Sequence, residues 1–165
     1  MDNEKFKSIK LLITDVDGVL TDGGIYTNED GVYMKKFNVK DGTAVKILKD
    51  INIKTMILSS EADPTNSKIL QRRAKKIGVK LCHYAIDDKL DFLKKLLPSL
   101  NLQSENIAYI GDDINDLEAM SIAGLKACPN DAVDEIKDIV DIVLNKKGGD
   151  GCFRELVDKI SFHNK

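Results

Sequence analysis

Two pairs of acids in this chain each follow an apolar run: Asp15 and Asp17 after residues 9–14, and Asp112 and Asp113 after residues 106–110. Each run reads as a buried β-strand, and in an open α/β sheet ligands gather at the carboxyl ends of the strands. Ser59 and Ser60 end a further run, 53–58, and Lys89 lies beyond another, 80–84. If the strands at 9–14 and 106–110 are neighbours, Asp15, Asp17 and Asp112 converge. Three carboxylates in one place repel, and without a cation they would raise their own pKa values or splay apart. A hard dication resolves the conflict. Magnesium prefers oxygen ligands, keeps several waters and bridges to phosphate oxygens. One or two of these carboxylates and a backbone carbonyl would be the protein's share of its shell, with water and substrate phosphate as the rest. The acids are too scattered for a single-loop calcium cage.

The elements that must position these groups alternate. Short apolar runs at 9–14, 53–58, 80–84, 106–110, 125–128 and 140–144 read as strands, and helical spacing appears at 43–51, 68–77, 89–97, 115–123 and 133–139. Strands separated by helices of this length require crossover connections and a parallel sheet, so the fold class is α/β. One segment breaks the alternation. Residues 25–27, a Gly-ended turn at 28–31, and residues 32–37 read as a β-hairpin where a crossover helix was due. Residues 148–151, Gly-Gly-Asp-Gly, read as flexible and precede a final helix at 153–160.

Composition narrows the function. A chain of 165 residues is of single-domain size, taken here as 1–165, and 42% apolar with 32% charged residues is the profile of a globule with a real core. The formal net charge of −2 argues against a nucleic-acid partner, which usually demands a basic excess. No apolar run approaches the roughly 20 residues that cross a bilayer, and Met1–Lys5 lacks the apolar segment of a secretory signal. Cys82, Cys128 and Cys152 are odd in number and far apart, which suits reduced thiols. The expectation is a cytoplasmic protein without a membrane partner.

The run Asp15-Val16-Asp17-Gly18-Val19-Leu20-Thr21 resembles the first motif of the haloacid dehalogenase superfamily of phosphotransferases, and Gly111-Asp112-Asp113-Ile114-Asn115-Asp116 resembles the fourth. The resemblance implies a Rossmann-like, three-layer fold around the parallel sheet. It also implies roles: Asp15 as the nucleophile that attacks phosphorus, Asp17 as general acid and base, and Asp15, Asp17 and Asp112 around magnesium with Asp113 and Asp116 in support. The chemistry is coherent. A carboxylate nucleophile splits hydrolysis into two easier displacements, and a nearby acid must protonate the departing alkoxide. Lys89 would neutralise phosphoryl charge, and Ser59 would donate a hydrogen bond to a phosphoryl oxygen.

Residues 15–23, the hairpin (insertion at about 23–39), Phe37-Asn38-Val39-Lys40-Asp41-Gly42 and the Gly-rich tail from about 148 are similar to one subfamily, over roughly residues 10–160. It is the 3-deoxy-D-manno-octulosonate 8-phosphate phosphatase group, with its sialic-acid-type relatives that act on nonulosonate 9-phosphates. The resemblance implies that the hairpin replaces a cap domain, that subunits form homotetramers, and that the Gly-rich tail approaches a neighbour's active site. An oligomer would also shield an otherwise open site and cover the hairpin's Ile25, Tyr26, Tyr33, Met34 and Phe37. The implied substrate is an anionic sugar phosphate, whose carboxylate would be held by Arg73 and Lys76, with Ser60 and Glu61 also at the substrate. Ser60-Glu61 stands where the octulosonate enzymes usually show Gly-Arg, and Asp150 where they have a basic residue; both changes resemble the nonulosonate branch. Residues 65–68 look like a four-residue insertion.

Two other classes are weighed. A receiver domain also combines clustered acids, Ser or Thr, Lys and magnesium, but its acid pair comes early and its phosphorylated Asp near the middle. Here the middle strand ends in Ser59-Ser60-Glu61 and an acid pair comes late. A non-catalytic oligomerisation module would be marked by loss of Asp15, Asp17 or Lys89, and all three are present.

Overall fold

β1 (Leu11–Thr14) is buried along its whole length because it is the interior strand on which the rest of the sheet is laid. In the computed structural model, which describes residues 3–164, it pairs in parallel with β4 (Lys54–Leu58) on one side and β6 (Ile107–Ile110) on the other. β5 (Leu81–His83) extends the sheet beyond β4, and β7 (Leu125–Cys128) and β8 (Ile142–Val143) extend it beyond β6. The order is β5-β4-β1-β6-β7-β8, parallel throughout. From β1 the chain moves outward through β4 and β5, then returns to β1's other side. The carboxyl ends of β1 and β6 therefore flank a topological switch point, where such sheets open a crevice.

Period-two alternation sends the strand side chains into two cores. Leu12, Ile57, Ala108, Ile110 and Leu125 pack with residues from α2 (Val39–Asp50), α3 (Pro64–Ile77) and α7 (Cys152–His163). Leu11, Ile13, Met56, Leu58, Ile107 and Tyr109 pack with residues from α4 (Lys89–Leu96), α5 (Ile114–Met120) and α6 (Asp134–Lys137). The result is the expected three-layer α/β arrangement. A short α1 (Asn3–Lys7), which periodicity did not reveal, seats Phe6 in the first core.

The hairpin is present, as β2 (Tyr26–Asn28) and antiparallel β3 (Gly31–Met34). Ile25, Tyr26 and Met34 remain exposed, whereas Phe37 packs on the core. The side chain of Tyr33 lies outside the described residues. Residues 65–68, read as an insertion, form the first turn of α3: Asp63 caps that helix by accepting the Thr65 and Asn66 amides, and Pro64 occupies its first position. The Gly-rich segment is not free. Gly149 N–H donates to Val19 O at 3.0 Å, Gly148 N–H donates to Asp131 Oδ1 at 2.9 Å, and a Cβ on Gly148 would sit 2.0 Å from Gly18 O. Only glycine allows the tail to approach the loop after β1 so closely.

Candidate active site

Asp15 follows β1, and its amide donates to Ile110 O at 3.0 Å, so it stays in register with β6. Its carboxylate is buried and accepts from Lys89 Nζ at 2.9 Å. Lys89 opens α4 and also donates to Asp116 Oδ1 at 2.7 Å. Asp116, on α5, is fully enclosed: the Tyr109 hydroxyl donates to Oδ1 at 2.7 Å and the Asp112 amide to Oδ2 at 3.2 Å. Asp113 caps α5 by accepting the Ile114 amide at 2.7 Å. These bonds join β1, β6, α4 and α5 around one lysine, a buried charge that its acids and hydrogen bonds offset.

The loop between Asp15 and β2 folds tightly over this knot. Gly18 adopts φ +85°, and a Cβ there would fall 1.9 Å from Asp112 Oδ2. Gly18, three residues after Asp15, is thus what lets the loop approach the acid that follows β6.

The electrostatics show too much negative charge for one lysine. Burial, then Asp116, push Asp15 up to about 7 against the relief from Lys89. Burial, then Asp15 and Asp116, push Asp112 up to about 8. Burial alone would lower Lys89, but the charges of Asp15 and Asp116 outweigh it and its pKa rises. Carboxylate oxygens of Asp15, Asp112 and Asp116 can lie within 4.8 Å of one another, and Asp112 Oδ1 is buried without a hydrogen-bond partner. An orphaned carboxyl oxygen beside a second acid, both held high until positive charge arrives, is the donor set a hard divalent cation requires. Asp116 has its oxygens committed to Lys89, Tyr109 and the Asp112 amide, which leaves Asp15 and Asp112 to offer carboxylate oxygen.

Asp17 is placed differently from its pair. Both of its carboxylate oxygens accept from Lys35 Nζ at 2.6 Å, and Oδ1 also accepts from Thr21 Oγ1 at 3.1 Å. Its side chain joins the hairpin rather than the acid knot, so its contribution to a cation would be its backbone carbonyl. Ser59 ends β4, is buried, and accepts the Glu61 amide on Oγ at 3.1 Å, which leaves its O–H to donate. Ser60 Oγ is buried without a partner. Glu61 accepts from the Asp63 amide at 2.8 Å and from Asn66 Nδ2 at 3.0 Å.

Asp15, Asp17, Ser59, Ser60, Glu61, Asp112, Asp113 and Asn115 line one cleft of about 170 Å³. A larger hollow of about 370 Å³ lies against the end of α3 and β5 and contains no acid. Arg73 and Lys76 do not line the cleft. Arg73 donates to Asn38 O at 2.6 Å and lies over the Phe37 ring at 5.2 Å, and Lys76 is exposed. Asp150 is also exposed, in the Gly-rich turn. Three contributors were not apparent from sequence: Lys35, Tyr109 and Asn66. Tyr109 alone left a trace, as the polar-tipped member of an apolar strand two residues before Gly111.

Comparison with known proteins agrees with this geometry. Residues 25–156 match the haloacid dehalogenase-like hydrolase family. The chain is 40% identical to the 3-deoxy-D-manno-octulosonate 8-phosphate phosphatase KdsC of Haemophilus influenzae over 157 residues, covering 95% of this chain and 85% of that protein. The cobalt-bound structure of the Haemophilus influenzae phosphatase superposes with a TM-score of 0.90 at 39% identity, covering 97% of this chain and 91% of that one. The Moraxella catarrhalis phosphatase, solved with magnesium ion, phosphate ion and a KDO molecule, gives a TM-score of 0.90 at 34% identity, covering 98% and 90%. With the family match running over residues 25–156 and named relatives covering nearly the whole chain, the chain is a phosphatase that belongs to the haloacid dehalogenase-like hydrolases, in the 3-deoxy-D-manno-octulosonate 8-phosphate phosphatase family.

Proposed function

We propose that this phosphatase hydrolyses the phosphate monoester of a 3-deoxy-2-ulosonate sugar acid through an aspartyl phosphate on Asp15. The carrying observation is the Asp15–Lys89 pair at 2.9 Å in a cleft shared with Asp17, Ser59 and Asp112. An Asp15 oxygen attacks phosphorus, the bond from phosphorus to the sugar oxygen breaks, and Asp17 gives that oxygen a proton. Asp17 then takes a proton from the water that attacks the aspartyl phosphate, which releases phosphate and restores Asp15. Lys89 offsets charge at Asp15, and the Ser59 hydroxyl donates to a phosphoryl oxygen. Asp15 and Asp112, joined by the Asp17 carbonyl, would hold the magnesium cofactor, an ion found in the structure of the Moraxella catarrhalis relative. When bound it supplies positive charge for the phosphoryl oxygens.

Octulosonate 8-phosphate is the first candidate, since named relatives at 34–40% identity act on it. Glu61 favours the second, a nonulosonate 9-phosphate: it lines the cleft as an acid that accepts hydrogen bonds from hydroxyls or an amine rather than welcoming a second anion. Arg73 and Lys76 remain candidates for the sugar carboxylate only if an assembly brings them to a cleft. We place the enzyme in the cytoplasm because its three cysteines are unpaired; among the described residues no helix is long and apolar enough to cross a membrane. A homotetramer is supported by the exposed Ile25, Tyr26 and Met34 of the hairpin; a monomer in micromolar sedimentation velocity would contradict it.

Phosphate release from both ulosonate phosphates and common hexose phosphates, with magnesium and then with chelator, tests the reading. The expected result is a strong preference for one ulosonate ester, lost with chelator and recovered with magnesium. Indiscriminate turnover, or full activity in metal-stripped enzyme, would contradict it.

A further inference from the structure

Two neighbouring lysines leave the hairpin for different destinations. Lys36 is exposed and pairs with Asp22 at 2.8 Å on the rim. Lys35 turns inward, its side chain only 9% exposed, and reaches both oxygens of Asp17. The same ammonium lies 3.9 Å from Glu61 Oε2. Glu61 is itself fixed by the Asp63 amide and by Asn66, a buried residue on the first turn of α3. Asp17 is therefore gripped from the hairpin on one side and by Thr21 on the other.

Such a grip matters because of where Asp17 sits. Its side chain is 41% exposed, unlike that of Asp15 at 7%. An exposed, untethered carboxylate samples several rotamers, and catalysis is lost from every one that misses the reacting oxygen. A lysine could as easily have kept its ammonium in water and laid its stem along the surface; Lys35 instead buries its stem and spends its charge on the acid two residues from the nucleophile.

We infer that Lys35 is a positioning residue for the reaction, holding Asp17 where it can serve the leaving-group oxygen and so making the hairpin part of the catalytic apparatus. The inference rests on the reading of Asp17 as the proton donor. It assigns the hairpin a task within its own subunit, separate from any contact it makes with another copy.

Leaving-group dependence tests this. The ratio kcat/KM reports steps up to loss of the leaving group, before water attacks the aspartyl phosphate. A simple alkyl phosphate expels a strongly basic alkoxide and needs the acid, whereas p-nitrophenyl phosphate expels a weakly basic phenolate and hardly needs it. Lys35→Met should lower kcat/KM for the alkyl ester about tenfold, part of the roughly hundred- to ten-thousandfold that a positioned acid contributes, and for the aryl ester less than about threefold. Lys35→Arg, which keeps the charge, should recover most of the alkyl activity. Lys35→Gln provides the same comparison should the methionine variant fail to melt cooperatively. Equal losses on the two esters in a folded variant, or no loss on either, would overturn the inference. Asp15→Asn is assayed alongside. Turnover in that variant removes the reading on which the inference rests, while an inactive Asp15→Asn beside an unselective Lys35→Met removes the positioning role alone.

Discussion

Two lysines grip two aspartates that line one cleft, and the two arrangements differ in nearly every physical respect. Lys89 is closed into the protein with Asp15, Asp116 and Tyr109, all buried, and its partners come from β1, β6 and α5. Lys35 belongs to a hairpin with an exposed apolar surface and holds a half-exposed Asp17. The first is a knot whose charges are almost wholly withdrawn from water, so each must be answered by another. The second is a clamp in which Lys35 is enclosed but Asp17 keeps access to solvent, so it contributes less to stability and can act on orientation. The nucleophile proposed above must stay in line and desolvated, which suits the knot. The proton donor proposed above must exchange protons with substrate and with water, which suits the clamp.

Breaking the knot has the largest expected effect. Lys89→Met leaves Asp15 and Asp116 buried without their cation, and removing one partner of a buried pair costs about 3–5 kcal/mol. Urea unfolding should show that loss together with abolished turnover. Breaking the clamp with Lys35→Met should cost clearly less stability than that, because water can reach the Asp17 carboxylate left behind. If the two variants lost equal stability, the contrast between knot and clamp would be wrong.

Asp41 sharpens the comparison by showing what a buried acid costs when no lysine closes on it. It lies on α2, is buried, and has one carboxylate oxygen without a partner. Burial pushes its carboxyl up to about 6, with Arg73 and Lys146 only partly offsetting the effect. The folded protein thus binds a proton here that the unfolded chain has already released between about pH 4 and 6. Stability attributable to this group is present at low pH and falls as pH rises through that window. Asp41→Asn should remove the fall, stabilising the protein by up to about 3 kcal/mol at pH 8 and by almost nothing at pH 4. Denaturant midpoints at the two pH values measure this. A variant that is destabilised at pH 8 would show that the ionised acid is well paired after all.

The knot was largely legible in the sequence and the clamp was not. Asp15, Asp112 and Lys89 announce themselves because each follows an apolar run, and a parallel sheet gathers strand ends whatever the loops do. Lys35 meets Asp17 only because a hairpin folds back across the strand end, and no period or spacing reports that. Arg73 shows the same limit. The family resemblance offers it to the sugar carboxylate, but α3 turns it against Phe37 and Asn38. The early start of α3, by contrast, was written in Asp63-Pro64, a cap followed by a first-turn proline, and periodicity alone passed over it.

Asp15 is the proposed nucleophile on which every later step depends, and phosphate release by Asp15→Asn tests that role most directly. The amide cannot attack phosphorus, yet it fits the same volume and relieves a carboxyl that burial holds at about 7. The variant should therefore melt no lower than the parent while its turnover of the preferred ulosonate phosphate falls at least about a thousandfold. A folded Asp15→Asn protein that released phosphate at near the parent rate would contradict the account.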